Sequence, residues 1–172
     1  MKQPNDKKIQ LMIRVAMLCA LVAVVTIAIV IPIPNISGAY VNAGDAVVYT
    51  AAFLLGGPWG AVAAGIGSAL ADLILGSALY APATLLIKAA MAFVAGKLLA
   101  GQSGFMRRLL AVCASGLLMP AGYFLYECAL YGVGAAWAGV VFNLIQYAGG
   151  AALGLLLIQA LDRLQAPHED RS

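Results

Sequence analysis

The sequence has 172 residues, of which 63% are hydrophobic and only 10% are charged. Because soluble domains carry charged residues at roughly a quarter of their positions, this composition excludes an ordinary soluble domain and predicts an all-α integral membrane protein. The formal charge of +3 does not by itself indicate a partner, since the placement of Lys and Arg relative to the membrane spans carries the information.

Six apolar segments follow one another along the chain. Each approaches the roughly 20 residues that a helix needs to cross a bilayer of about 30 Å, and together they predict a single domain of six transmembrane helices over residues 1–172. The first segment follows a basic start, and its apolar stretch exceeds the about 7–15 residues of a signal peptide, so we expect a retained helix. The predicted spans are 11–31, 39–55, 60–75, 83–100, 109–131 and 137–161, flanked by the tails 1–10 and 162–172.

A run of helix-breaking residues, `GGP` at 56–58, joins the second and third spans. Pro removes a backbone donor and Gly supplies turn conformations, so the local chemistry favours two spans over one long helix. Six spans also keep the basic residues between 97 and 108 on the side of the basic N-terminus, and both termini are therefore predicted to be cytoplasmic. The second span is short from Asp45 onward. Either it begins nearer Ala39, or a loop dips into the bilayer.

Ionisable side chains inside the apolar segments are costly in hydrocarbon unless they are paired, so each is a candidate functional residue. At a rise of 1.5 Å per residue, Asp72 lies ~6 Å from Gly76 at the end of its span, and Lys88 lies ~9 Å from Pro82. Polar residues of other spans have similar depths below the same, extracellular ends, which predicts that they meet. The set consists of Asp45, Asp72, Lys88, Glu127, Asn143 and Gln146.

Spacing within two helices supports this convergence. Asn143, Gln146 and Tyr147 recur at i, i+3 and i+4, and Tyr123 and Glu127 at i and i+4, so each set lies on one side of its helix. A cavity of aromatic, amide and charged groups that opens to the outside is typical of a binding site for a small polar, partly aromatic solute.

Other roles for these side chains stay open. Lys88 can extend its stem toward the headgroups, or it can form a structural ion pair with Asp72 or Glu127. Glu127 and Asn143 can also hydrogen-bond across helices. Tyrosines near the span ends are typical of an interfacial aromatic belt. They are Tyr40, Tyr80 and Tyr131.

We predict no enzymatic activity, no cofactor, no metal and no nucleic-acid partner. The sole histidine, His168, lies in the polar tail, so neither a His-based triad nor a His metal site can form within the spans. The three cysteines lie inside apolar segments without close spacing, which argues against a disulfide framework. The sequence has no G-x-x-x-x-G-K-[ST] motif, so energy for transport comes from an ion gradient or from another protein.

Four short motifs carry a resemblance to a known family. They are `NAGD` at residues 42–45, `GGPWG` at 56–60, `ADLILG` at 71–76 and `PATLLIK` at 82–88. Over roughly residues 31–99 the sequence resembles the substrate-binding S components of energy-coupling factor (ECF) vitamin importers, in the riboflavin-type branch. The last two helices match only in hydropathy.

The resemblance implies a six-helix S-component bundle in the bacterial plasma membrane. It implies binding of a water-soluble vitamin or precursor, of the riboflavin, pyridoxine or hydroxymethylpyrimidine class, near the outer face beneath a loop that acts as a lid. It also implies assembly with a scaffold membrane subunit and two ATPases, with Ala16 and Ala20 contacting the scaffold. Together with the depth argument, it gives as predicted substrate-binding residues Asn42, Asp45, Asp72, Lys88, Tyr123, Glu127, Asn143, Gln146 and Tyr147.

Two other classes of function remain open from the sequence. A non-transport membrane scaffold or assembly protein would use the same charges only as structural ion pairs. A solitary importer would be driven by an ion gradient and would need no ATPase partner.

Overall fold

The chain is almost entirely helical in the computed structural model, which describes residues 4–33 and 36–165. Five helical stretches are long and apolar enough to cross a membrane: Asn5–Ala28, Gly44–Ile74, Ala81–Leu99, Phe105–Tyr131 and Val133–Leu164. The predicted all-helical architecture is therefore present, with five candidate spans instead of six. The elements are α1 (Pro4–Ala28), β1 (Val30–Pro32), β2 (Tyr40–Asn42), α2 (Gly44–Ile74), α3 (Ala81–Leu99), α4 (Phe105–Gly116), α5 (Leu118–Tyr131) and α6 (Val133–Gln165).

The number of spans differs from the prediction because the second and third predicted spans form one helical element, α2. Its backbone breaks at Gly56, where φ is 77° and ψ is 176°. A Cβ placed on Gly60 would lie 2.8 Å from the Cα of Ala52, whereas a straight helix would separate these residues by about 12 Å. The parts 44–55 and 57–74 therefore fold back on each other. The break lies where the `GGP` run predicts it.

The part of α2 before the break is the centre of the bundle. Residues 44 to 52 are all buried. Glycines of α6 allow this close approach, because a Cβ on Gly150 would lie 2.6 Å from the Cβ of Asp45, and one on Gly154 would lie 2.7 Å from the ring of Tyr49. On another side, the Tyr49 hydroxyl donates to the carbonyl of Val112 in α4 at 3.2 Å. Residues 44–52 are thus enclosed by other helices.

A short β-hairpin caps one end of the bundle, which we call the hairpin end. Strands β1 and β2 pair antiparallel with Val30 opposite Asn42, and Ile33 N–H donates to the carbonyl of Ala39 at 2.9 Å. Helix α2 begins after this hairpin at Gly44, so the proposed start of a second span near Ala39 is wrong. Pro32 lacks a backbone donor, which disfavours continuation of α1 into this region.

At the opposite end, a buried arginine ties several elements together. Arg108 Nη2 donates to Asp162 of α6 at 3.0 Å, and Nε donates to the carbonyl of Gln102 at 2.8 Å. Its guanidinium also lies 5.5 Å from the ring centre of Phe53. Because these contacts join α4, α6, the loop before α4 and segment 44–55, they fix the bundle at the end remote from the hairpin.

The turn at Gly56 is packed against α3 too closely to admit a side chain. A Cβ on Gly96 would overlap the backbone nitrogen of Gly57 and lie 2.7 Å from the carbonyl carbon of Gly56. We expect Gly96→Ala to destabilise the protein by about 1–3 kcal/mol, the usual cost of overpacking, and to lower the Tm in detergent.

Gly149→Ala in α6 is the matched control, because a Cβ there meets no atom within 4 Å and Ala favours helix over Gly by up to about 1 kcal/mol. Thermal unfolding monitored by intrinsic fluorescence compares the two variants. Equal Tm values for both variants would contradict the tight turn at Gly56.

Candidate functional site

A polar cavity lies at the hairpin end, between the helix ends and the β-hairpin. The space between atoms there, counting the part that is open to solvent, is about 420 Å³. Side chains from α1, the hairpin, α2, α3, α5 and α6 all reach it, so most of the bundle contributes to one site. The lining residues are Thr26, Ile33, Gly38, Ala39, Tyr40, Asn42, Ser68, Asp72, Tyr80, Thr84, Lys88, Tyr123, Glu127, Asn143 and Gln146.

The ammonium of Lys88 is buried in the wall of this cavity and forms an ion pair with Asp45. With an exposed fraction of 2%, Lys88 does not extend to the headgroups. The expected ion pair with Asp72 or Glu127 is wrong, because the buried segment that carries Asp45 lies in the centre of the bundle and places this carboxylate against Lys88. Lys88 Nζ also lies 3.1 Å from the sulfur of Met119.

Gln146 links this ion pair to the hairpin. Its Nε2 donates to the second carboxylate oxygen of Asp45 at 2.8 Å, and its Oε1 accepts the backbone N–H of Asn42 at 2.8 Å. The side-chain oxygen of Asn42 accepts the N–H of Gly44 at 2.8 Å, where α2 begins. Both oxygens of Asp45 are therefore used within the protein, and the hairpin is fastened to the buried pair.

Two tyrosines each bond a carboxylate at the cavity. Tyr40 donates to Asp72, and Tyr80 donates to Glu127 Oε1 at 3.3 Å. Burial, reinforced by the Asp72 carboxylate, raises the pKa of the Tyr40 hydroxyl, and burial with the Glu127 carboxylate raises the pKa of Tyr80. Because a raised pKa keeps a phenol protonated to higher pH, both hydroxyls are donors at physiological pH.

Four buried polar atoms at the cavity have no hydrogen-bond partner of normal geometry in the described part of the chain. They are Thr26 Oγ1, Asp72 Oδ2, Glu127 Oε2 and Asn143 Nδ2. The fifth such atom, Gln102 Oε1, lies at the opposite end. Buried polar groups are normally satisfied, and a cluster of unsatisfied ones needs a physical explanation. Here carboxylate acceptors and amide and hydroxyl donors are grouped around one space.

The structure brings most of the sequence-predicted residues to this cavity. Asp45 lies behind the wall, paired with Lys88. Tyr147 lies outside it, because its hydroxyl donates to the carbonyl of Cys113 at 3.1 Å and its ring packs where Gly116 leaves room. The predicted residues that line the cavity are Asn42, Asp72, Lys88, Tyr123, Glu127, Asn143 and Gln146.

Several lining residues were not among the predicted ones. Tyr40 and Tyr80 were assigned to an aromatic belt, yet both are bonded to cavity carboxylates. Ser68 and Thr84 precede Asp72 and Lys88 by four residues, a spacing that places each pair on one helix face and would have identified them. Thr26 lies near the C-terminal end of α1 and lines the cavity. No spacing pattern in the sequence identifies it.

The predicted partner surface lies on α1. Ala16 and Ala20 are both exposed, as are Met12 and Met17 beside them. Within the described ranges, 4–33 and 36–165, no group of three or more His, Cys, Asp or Glu side chains is arranged to hold a metal. The polar tail that contains His168 lies outside these ranges.

Comparison with known proteins identifies the family. The family model described as the ECF-type riboflavin transporter, S component, matches residues 6–163. The chain belongs to this S-component family. Membership confirms that the chain is a transporter subunit and is not an enzyme. It also confirms that the chain is a membrane protein.

Two curated relatives extend the comparison. A protein from Lactococcus lactis subsp. cremoris (strain MG1363), named thiamine precursor transporter HmpT, is 30% identical over 163 residues, which cover 95% of this S component and 94% of the relative. A protein of Pyrococcus woesei, described as an uncharacterized protein in the gap 3′ region, is 37% identical over 133 residues, covering 77% and 88%.

A solved structure supports the fold of the S component. The structure titled "Structure and mechanism of the S component of a bacterial ECF transporter" superposes with a TM-score of 0.77 at 20% identity, covering 93% of this chain and 99% of the other. At this level of identity the likeness concerns the fold alone.

The Lys88–Asp45 pair predicts a non-additive response to mutation. Lys88→Met leaves the Asp45 carboxylate buried without its cation, and we expect a loss of about 3–5 kcal/mol of stability. Asp45→Asn combined with Lys88→Met removes both charges, so the double variant should be more stable than the sum of the single effects allows.

Urea or thermal unfolding of the four proteins in detergent measures this coupling. Asp162→Asn with Lys88→Met serves as the control, because Asp162 pairs with Arg108 at the opposite end of the bundle. Additive losses for the Asp45–Lys88 pair would mean that the two side chains do not interact.

Proposed function

We propose that this S component captures a water-soluble vitamin or vitamin precursor in the polar cavity at the hairpin end. One observation carries the proposal: four residues from α1, α2, α5 and α6 line one cavity, and each has a buried polar atom without a hydrogen-bond partner of normal geometry in the described part of the chain. Charges that served only as structural pairs would be expected to satisfy each other, as Asp45 and Lys88 do. A bound polar solute would satisfy the rest.

Our proposed substrate is a thiamine precursor of the hydroxymethylpyrimidine class, ahead of pyridoxine and riboflavin. The name of the Lactococcus relative, which aligns over nearly the whole of both chains, supports this choice. The chemistry of the cavity supports it as well. An aminopyrimidine offers an amino group and a hydroxyl to Asp72 Oδ2 and Glu127 Oε2, and ring nitrogens to the donors Asn143 Nδ2 and Thr26 Oγ1.

The aromatic content of the site suits a flat heterocycle. Tyr80 lies with its ring centre 6.3 Å from that of Tyr123, and both rings line the cavity. Aromatic pairs at this separation favour tilted or stacked contacts, and a planar ligand can join them. Lys88, which is the one basic residue among the described lining residues, is already bound to Asp45, so recognition rests on the carboxylates, amides and hydroxyls.

For topology, we propose six crossings with both termini in the cytoplasm and the cavity facing outward. The fold-back at Gly56 supports two crossings within α2. Basic residues lie at the helix ends remote from the cavity, namely Lys7 and Lys8 in α1, Lys97 in α3, Arg107 in α4 and Arg163 in α6. The positive-inside rule then favours a cytoplasmic location for that end in the plasma membrane.

As partners, we propose a scaffold membrane subunit and two ATPases, with the scaffold contacting α1 at Ala16 and Ala20. Small side chains in a helix surface let another helix approach closely, and both alanines are exposed. ATP-driven uptake by such a coupling module is favoured over a gradient-driven importer because the family is of the ECF type.

Ligand binding tests the proposed site. We expect hydroxymethylpyrimidine to bind the purified protein, measured by isothermal titration calorimetry and by a rise in Tm. Glu127→Gln and Asn143→Ala each remove a partner of the ligand and should weaken binding by roughly 10–100-fold, since hydrogen bonds to charged groups contribute about 1.5–3 kcal/mol.

Tyr147→Phe is the control, because its hydroxyl bonds Cys113 outside the cavity and affinity should stay unchanged. Pyridoxine and riboflavin are titrated in parallel. If none of the three compounds binds, the proposed function is wrong; if binding survives in both cavity variants, the site lies elsewhere.

Assembly tests the proposed partner surface. Ala16→Trp should block co-purification with a coexpressed ECF scaffold and its ATPases, because the indole would hold the facing helix away, while ligand affinity stays unchanged. Leu21→Trp, on another face of α1 and also exposed, should assemble normally. Equal assembly of the two variants would remove Ala16 from the interface.

A further inference from the structure

The charges around the cavity do not cancel. Among the described lining residues, Lys88 is the one basic side chain, and it is held by Asp45. The other oxygen of Asp45 accepts Gln146 Nε2 at 2.8 Å. This leaves Asp72 and Glu127, which line the cavity and form no ion pair with a described residue, although Lys88 acts on Asp72 from farther away; two acids beside the Lys88–Asp45 pair give the space an excess of acid.

The two carboxylates are held at the cavity in the same way. Each uses one oxygen to accept a tyrosine hydroxyl, from Tyr40 at Asp72 and from Tyr80 at Glu127. The second oxygen of each, Asp72 Oδ2 and Glu127 Oε2, is buried without a hydrogen-bond partner of normal geometry in the described part of the chain, although Asp72 also interacts with Thr84 and Glu127 Oε2 lies against Gly139 of α6. A tyrosine therefore holds each carboxylate in place, and one oxygen of each is not fully hydrogen-bonded.

Such oxygens distinguish ligands by charge. An ionised carboxylate oxygen only accepts hydrogen bonds, so it binds ligand groups that donate, such as amino, hydroxyl or protonated ring nitrogen groups. A phosphate or carboxylate on the ligand would place negative charge against it, and like charges in a poorly solvated site cost several kcal/mol. Buried unpaired charge adds to that penalty.

The donors of the cavity do not offset this repulsion. Asn143 Nδ2 and Thr26 Oγ1 are neutral and suit a neutral acceptor such as a ring nitrogen. Anion sites in proteins instead use Arg, Lys or helix N-termini. Lys88 is held by Asp45, and at the N-terminus of α2 the N–H of Gly44 is already bonded to Asn42 Oδ1.

We infer that Asp72 and Glu127 make this S component selective for unphosphorylated, uncharged or amine-bearing ligands and reject the phosphate esters of the same heterocycles. The inference rests on the proposed function, since it assigns a specificity to the same cavity. It adds that charge, and not ring shape alone, decides which form of a vitamin precursor is captured.

Matched ligand pairs test the inference. The probes are hydroxymethylpyrimidine and its phosphate, pyridoxine and pyridoxine 5′-phosphate, and riboflavin and flavin mononucleotide, each titrated against the full-length protein. For whichever parent compound binds, we expect the phosphate ester to bind at least ~100-fold more weakly. An ester that binds within about threefold of its parent would overturn the inference and leave the proposed function intact.

Variants separate charge from shape. The double variant Asp72→Asn with Glu127→Gln keeps the volume of both side chains and removes both charges, so the ratio between parent and ester should fall below ~10-fold even though the parent binds less tightly. Tyr80→Phe is the control, because it removes the hydrogen bond to Glu127 and leaves the charge. It should weaken parent and ester alike and keep the ratio.

Three further outcomes count against the inference. A ratio that is unchanged in the double variant would assign the selectivity to shape. A ratio that falls equally in Tyr80→Phe would assign it to the orientation of Glu127 and not to charge. If no parent compound binds the wild-type protein, the proposed function is wrong and the inference is wrong with it.

Discussion

Hydrocarbon offers no water to a polar group, and this constraint determines the arrangement of the bundle. A side chain that can ionise must find a partner inside the protein or face a solvated space. Asp45 and Lys88 take the first course and pair with each other. Because Asp45 sits at the start of segment 44–55, the pair requires that segment to lie in the middle of the bundle, where Gly150 and Gly154 of α6 leave room for it.

The two ends of the bundle treat buried charge differently. At the remote end, the guanidinium of Arg108 is satisfied by Asp162, by a backbone carbonyl and by the face of Phe53. At the hairpin end, Asp72 and Glu127 each keep one oxygen without a partner. The fully bonded Arg108 is typical of a structural contact between helices. The partly bonded carboxylates are typical of a binding site without its ligand. Burial alone therefore does not distinguish the charges at the two ends; the completeness of their hydrogen bonding does.

Much of this organisation was predictable from the sequence. The helical fold followed from composition, the break in α2 followed from the `GGP` run, and the meeting of polar residues followed from their equal depth along separate helices. The partner of Lys88 was not predictable, because depth does not define rotation about the helix axis. Tyr147 shows the same limit of the depth argument. Its spacing places it on the same helix face as Asn143, but its ring packs against Gly116 of α4, where a side chain is absent. Tyr40 was not predicted to line the cavity, because it lies on the hairpin. No local sequence pattern predicts strands of only three residues.

The fold-back at Gly56 has a consequence for biosynthesis. At 1.5 Å per residue, segment 44–55 is about 18 Å long, well short of the about 30 Å of a hydrocarbon layer, and it starts with a carboxylate. Such a segment is a poor substrate for lateral release from the translocon by itself. Its place in the bundle therefore depends on the packing of residues 57–74 beside it, where the fold-back puts Gly60 against Ala52. The cation that neutralises Asp45 is on α3, later in the chain, so the charge of this segment is balanced only when α3 packs against it.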